Sequence, residues 1–335
     1  MLITDYPVAL DTDVSSEIST MLDKSFADID WQAPWMCHIN QLRIISAAIQ
    51  GLSSSSEQNN AVAYECQPID VIAGVLNNAF NQQSSNEQSS HGQAELPMTK
   101  PTHNNKAHTL KFVSQDVLPE GEAYEQFIGI SGNIPTRDNL HDLFNGSIWL
   151  TFPKTKALLN YYHMLEIAAQ GINASRGRVR DTITVFDENG AVLVTSDASI
   201  GEELIGFDWQ ASLVAPRAKW DEPQQPTSHA QAAVYIFGHA LLEQLIKPRK
   251  SLCAHSIVIN VTQDFFTLSL SERMSYLDEK VAHYMDELLS KDDVTPRQLA
   301  PLPILGVPHF WLDNTDPSFY DDSYVFRSGR RQKSN

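Results

Sequence analysis

Apolar residues recur at three- and four-residue steps over 41–50 (QLRIISAAIQ) and 70–80 (DVIAGVLNNAF), the spacing of helices with one buried face. The run 108–115 (HTLKFVSQ) reads as a short strand, 121–130 as a short helix and 137–149 as a longer one. Pro153 sits where a helix start tolerates proline. Beyond it Leu158, Tyr161, Tyr162, Leu165, Ala168 and Ala169 form a stripe that ends near Gly171. In 181–197 two β-rich runs flank Asp187-Glu188-Asn189-Gly190, a turn signal that predicts a hairpin. A short helix is expected at 199–206, and a long, almost wholly apolar one over 229–246, stopped by Pro248. The run 254–261 reads as a strand, and 271–290 as an amphipathic helix with a charged outer face. The Pro- and aromatic-rich remainder is irregular chain expected to wrap a core.

Helices and strands alternate without a βαβ rhythm. The expected class is therefore α+β, mostly helical, with helices packed on a small, mostly antiparallel sheet containing the hairpin near 181–197. The division expected is a helical N-terminal segment (1–80), a disordered Gln/Ser-rich insert (81–106), a main α+β domain (107–328) and a basic flexible tail (329–335). The insert has almost no large apolar side chains to offset its ordering entropy.

Composition narrows the function classes. The 335 residues carry a formal charge of −17, so nucleic acid and anionic membrane faces are unfavourable partners. Arg327, Arg330, Arg331 and Lys333 are the one dense basic cluster, read as a solvated tail or a docking arm. Three separated cysteines make neither a disulfide framework nor a CxxC zinc site. With no secretory pattern and no long apolar run, the expectation is a soluble cytoplasmic protein. Oligomeric state is not legible. No dinucleotide fingerprint or P-loop occurs, and Ser131-Gly132 breaks the spacing of a nucleophile elbow.

Candidate chemistry rests on polar residues set among apolar ones. On a helix over 137–149, His141 and Asn145 share a face, with Asp142 about 100° round. On a helix over 229–246, Tyr235, His239 and Glu243 form a thin polar strip, and Gly238 suggests a backbone or ligand coming close. Arg180 and Asp181 lead into the expected hairpin, whose Asp187 and Glu188 are turn residues first. His255 starts a strand. If His141, His239 and His255 converged with Asp142 or Asp181, they would form a mixed N/O site for a divalent metal of zinc or iron type. Without metal, a carboxylate-oriented histidine is a general base. The candidates are thus His141, Asp142, Asp181 and His239 for catalysis, Asn145, Lys154, Arg180, Tyr235 and Glu243 for substrate, and His141, His239 and His255 for metal. For each, structural cross-linking of neighbouring elements is the competing reading.

The motifs NIPTRDNLHDLFNGSIWLTFPKTKALLN, RGRVRDTITVFDENGAVLV, FGHALLEQLIKPRKSLCAHSIV and PLPILGVPHFW, in that order, resemble a bacterial domain-of-unknown-function family, number 3025, over roughly 108–328. The resemblance implies no activity. It singles out Arg137, His141, Asp142, Asn145, Trp149, Lys154, Arg180, Asp181, Asp187, Glu188, His239 and His255 as motif positions. The insert at 81–106, and His309 where a glycine is usual, depart from the pattern. The functional expectation is a small-molecule enzyme of hydrolase type with a His/Asp-centred pocket, working with or without a divalent metal. The alternatives are a non-catalytic binding or scaffold protein and, remotely, a His-Asn-His nuclease at His141, Asn145 and His163.

Overall fold

The computed structural model describes residues 24–40, 43–55, 70–87, 110–170 and 177–329. Two helices, α1 (Ile44–Ser55) and α2 (Val71–Glu87), precede a small parallel pair, β1 (Lys111–Ser114) and β2 (Asn133–Thr136), linked through α3 (Tyr124–Ser131). Helices α4 (Leu140–Thr151), α5 (Pro153–Gln170) and α6 (Arg178–Asn189) then lead into β3 (Gly190–Thr195) and α7 (Ala198–Ile205). The chain continues through β4 (Ala232–Ile236), α8 (His239–Gln244), β5 (Cys253–Asn260), α9 (Leu270–Leu289) and β6 (Ala300–Pro303), and closes in short 3₁₀ turns. The main sheet has the order β4-β3-β5-β6, with β3–β4 and β5–β6 antiparallel and β3–β5 parallel. The fold is α+β, with a mixed sheet.

Two expectations fail here. The segment 181–197 is no hairpin: α6 runs to Asn189 and passes directly into β3. Val179, Ile183 and Phe186 follow a helical period, and Ile183 and Phe186 are fully buried. Gly190 then lets the chain leave the helix, since a Cβ there would strike the carbonyl oxygen of Phe186. Nor is 229–246 one helix. Its β-branched and aromatic first half is β4, buried on both faces, and its second half is the six-residue α8. A short run that is apolar all round carries no period to separate strand from helix. Gly238 marks the change, and Tyr235 thereby leaves the face of His239. In α5 the stripe ends early, with Leu158 buried and Leu165 45% exposed.

The N-terminal elements are bonded to the main body. Asn77 bonds Phe112 in both directions through its amide, Asp138 accepts from the Ile72 N–H, and the His38 Nε2 lies 2.7 Å from the Ile236 carbonyl. Residues 81–87 continue α2, while the rest of the insert, with His91 and His103, and the neighbouring His108 fall outside the described residues. Asp278 of α9 accepts the Lys154 and Thr155 N–H groups at 2.8 Å each. It caps a helix whose own N-terminus has donors to spare.

Candidate active site

Local sequence aims each side chain. Asn139 caps α4 by accepting the Asp142 N–H at 2.8 Å, which places His141 in the first turn. Gly238 precedes α8, and a Cβ on it would lie 2.5 Å from the Glu188 carbonyl oxygen and from the Gly190 nitrogen. Glycine is therefore required where the chain crosses the end of α6. The Phe237 and Gly238 N–H groups both donate to the Gly190 carbonyl, and the Phe186 and Phe237 rings stack at 4.7 Å. This seam brings His239, the first residue of α8, over Asp187 and Glu188, the last acidic residues of α6.

The imidazoles of His141 and His239 meet, Nε2 to Nε2, at 3.0 Å. The Glu188 Oε2 is 3.4 Å from the His239 Nε2. One donor atom from each of His141, His239 and Glu188 lies within 4.8 Å of the others. On their far sides, the His141 Nδ1 is 3.2 Å from the Glu243 Oε2, and the His239 Nδ1 faces the Asp187 Oδ2 at 4.0 Å. His239 is 5% exposed, whereas His141, Glu188 and Glu243 are each exposed by about a third or more, so solvent reaches the cluster from one side. Burial, with smaller opposing and assisting contributions from Asp187 and Lys156, lowers the His239 pKa to about 4 and leaves the ring neutral at pH 7.

Behind the imidazoles runs a chain of buried polar contacts. Lys156 of α5 reaches the Asp187 Oδ1 at 2.6 Å and the Asn145 Oδ1 at 2.9 Å, and the Asn145 amide donates to the Tyr124 hydroxyl at 3.1 Å. Burial opposes charge on Asp187, but Lys156 and His239 beside it more than compensate and hold its carboxyl below the ordinary range.

Of the residues expected from sequence, His141, His239 and Glu243 come together. Asp142 does not join them: its carboxylate is taken up by the backbone N–H, Nε and Nη2 of Arg137 at 2.7–3.0 Å. Asp181 lies in the first turn of α6, seven residues and about 10 Å of helix rise before Glu188. Asn145 is turned inward to Lys156 and Tyr124. Lys154 extends to Glu279 at 3.4 Å, at the capped start of α5. Arg180 lies close enough to His163 for its charge to help lower that pKa, and among the described residues its buried Nε and Nη1 have no hydrogen-bond partner. Tyr235 lines a different cavity, of about 330 Å³, beside the buried Asp221–Arg273 pair. His255, which pairs with Gly190 across β3–β5, lines a separate groove and does not join the imidazole pair. His163 is not among the residues whose ligand atoms converge, and Asn145 is taken up by Lys156 and Tyr124, so the His-Asn-His arrangement does not form around His141.

Lys156 and Tyr124 were missed. The signal for Lys156 was a cation in PKTKALLN at a position whose neighbours 155–160 are all buried. Glu188 was weighed as a turn residue, and only its place on a helix end converts it into a candidate ligand.

With this geometry in view, comparison with known proteins adds one finding. The profile of a family described as "protein of unknown function (DUF3025)" matches residues 110–330. The chain belongs to the DUF3025 family. No curated protein and no solved structure matches it. The matched span of this DUF3025 protein includes every residue of the imidazole–carboxylate cluster and the polar contacts behind it. Among the described residues no helix is long and apolar enough to cross a membrane.

Proposed function

We propose that this protein is a metal-assisted enzyme of hydrolase type acting on a small molecule, with His141, His239 and Glu188 binding a divalent cation. The observation carrying the reading is the convergence of three ligand-type atoms, with a carboxylate on the outer side of each histidine. Tetrahedral zinc with bonds of about 2.0–2.1 Å sets its donor atoms roughly 3.3 Å apart; two of the three separations, 3.0 and 3.4 Å, are close to that spacing, and all three lie within 4.8 Å. The tautomers point the same way. Glu243 keeps the proton of His141 on Nδ1, leaving the Nε2 lone pair inward. If the His239 Nε2 donated to it, the His239 Nδ1 lone pair would be buried without a donor and would face the Asp187 carboxylate. A cation at Nε2 places the proton on Nδ1, toward Asp187, and removes the conflict.

When bound, such an ion supplies a Lewis acid and a water acidified toward neutral pH. The chain's own residues then have separate tasks. Glu243 orients His141, Asp187 faces the outer edge of His239, and Lys156 holds Asp187. A substrate would approach from the exposed side between His141, Glu188 and Glu243. The acidic chain disfavours polyanions there.

Zinc titration of chelator-treated protein by calorimetry tests the reading. One equivalent should bind, Glu243→Gln should weaken binding roughly 10–100-fold, and His239→Ala should abolish it. Absence of micromolar binding, or equal binding by the variants, refutes the metal centre. A second reading, a non-catalytic scaffold, is favoured by the saturation of Asp142, Asn145 and Lys156. It is distinguished by the stability of His141→Ala, taken up below.

A further inference from the structure

Another cavity is lined by none of the imidazole–carboxylate residues. Its volume is about 940 Å³, within the roughly 300–1,000 Å³ of small-molecule sites. Strand β5 contributes Cys253 and His255, alternate residues on one side, and edge strand β6 places Pro303 and Pro301 directly opposite them. The walls are Ile205, Phe207, Trp209 and Tyr324, of which Ile205 is 55% and Tyr324 84% exposed. The Trp209 N–H is already donated to the Arg327 carbonyl at 2.8 Å, so its ring offers only an apolar face.

Two features separate this groove from ordinary uneven surface. The first is charge. The chain has 41 acidic residues against 24 basic, yet among the described residues no aspartate or glutamate lines the groove, while Arg297 and Arg327 do. The second is strain. Phe207 has φ 64°, a left-handed conformation that residues other than glycine rarely adopt. Its ring meets Trp209 edge-on at 5.7 Å, and a Cβ on Gly329 would lie 3.1 Å from it. A bulky aromatic is thus kept in a disfavoured backbone state to form the wall.

We propose that this groove binds a free small-molecule carboxylate with an apolar body, of the fatty-acid or aryl-acid class. The body would lie against Trp209, Phe207 and Tyr324, and the carboxylate would meet Arg297 and Arg327. The basic residues Arg330, Arg331 and Lys333 that follow have the wrong charge to fill it.

The test uses the full chain with anilinonaphthalene sulfonate as a fluorescent probe, and dodecanoate and dodecanol as competitors. Saturable one-site binding is expected, with dodecanoate displacing the probe at roughly tenfold lower concentration than dodecanol. Arg297→Ala/Arg327→Ala should weaken the probe by roughly tenfold or more, with unchanged circular dichroism. Because the Arg327 Nε also bonds the Tyr324 carbonyl, Arg297→Ala alone decides if the double variant fails to fold. Equal potency of acid and alcohol, or unaltered binding by the arginine variants, overturns the proposal. So would a dimer in light scattering whose probe signal falls as protein concentration rises, which would assign the groove to a second copy of the chain.

Discussion

Replacing Lys156 by methionine probes the polar contacts behind the imidazoles most directly. Lys156 is 5% exposed, and methionine keeps most of its stem while removing the charge. Its ammonium lies 2.6 Å from Asp187, whose side chain is 18% exposed, and 2.9 Å from the Asn145 carbonyl oxygen. The variant leaves a buried carboxylate without its partner, a change that costs about 3–5 kcal/mol. Lys156→Met/Asp187→Leu removes both charges, and replacement of a whole buried pair is often nearly neutral. The double variant should therefore be less destabilised than Lys156→Met alone, with a coupling of about 2 kcal/mol or more. Urea denaturation followed by circular dichroism measures both, and an unchanged slope would show that the denatured states are comparable. A single variant costing under about 1 kcal/mol, or a double variant equal to the sum of the singles, would refute the claim that the pair is buried and coupled.

His141→Ala should cost no more than about 1 kcal/mol in chemical denaturation, because the ring is 35% exposed, while metal binding is lost. A loss of several kcal/mol would favour the scaffold reading. Gly238→Ala should cost about 1–3 kcal/mol and weaken zinc binding, since the new methyl would push α8 off the end of α6; a melting temperature equal to that of the parent would contradict the contact. Asp278→Ala should cost about 0.5–2 kcal/mol through the uncapped start of α5, read from the same denaturation curves. Burial lowers the His38 pKa from 6.5 to about 4, so the unfolded chain binds the extra proton first. Its neutral, buried ring contributes stability that is fully present above pH 6.5 and lost as pH falls toward 4, at most about 3 kcal/mol. His38→Gln should flatten the melting-temperature profile in that window, and an unchanged acid slope would refute the assignment.

Periodicity alone found the isolated amphipathic helices. Leu270–Leu289 lies within one residue of its predicted span, because one face is charged and the other apolar, and Ser269 and Glu272 close a capping box at its start. Periodicity failed where a segment is buried on every side. In 229–246 no polar face marks strand from helix, and the packing of Gly238 against Glu188–Gly190 is what divides the two. At the end of α6 a different signal misled: Asp187-Glu188-Asn189-Gly190 reads as a hairpin turn, which masked the helical period of Val179, Ile183 and Phe186 and hid the use of Glu188.

The sequence by itself determined the α+β class, the family, the acidic surface and the candidacy of His141, His239 and Glu243. These follow from side-chain type and local spacing. Only the tertiary structure decided which carboxylates face the imidazoles. Asp142 lies next to His141 in the chain yet is claimed by Arg137, whereas Glu188, 47 positions away, reaches the cluster. Helix geometry sends adjacent side chains about 100° apart, while a glycine crossing lets two distant helix ends meet.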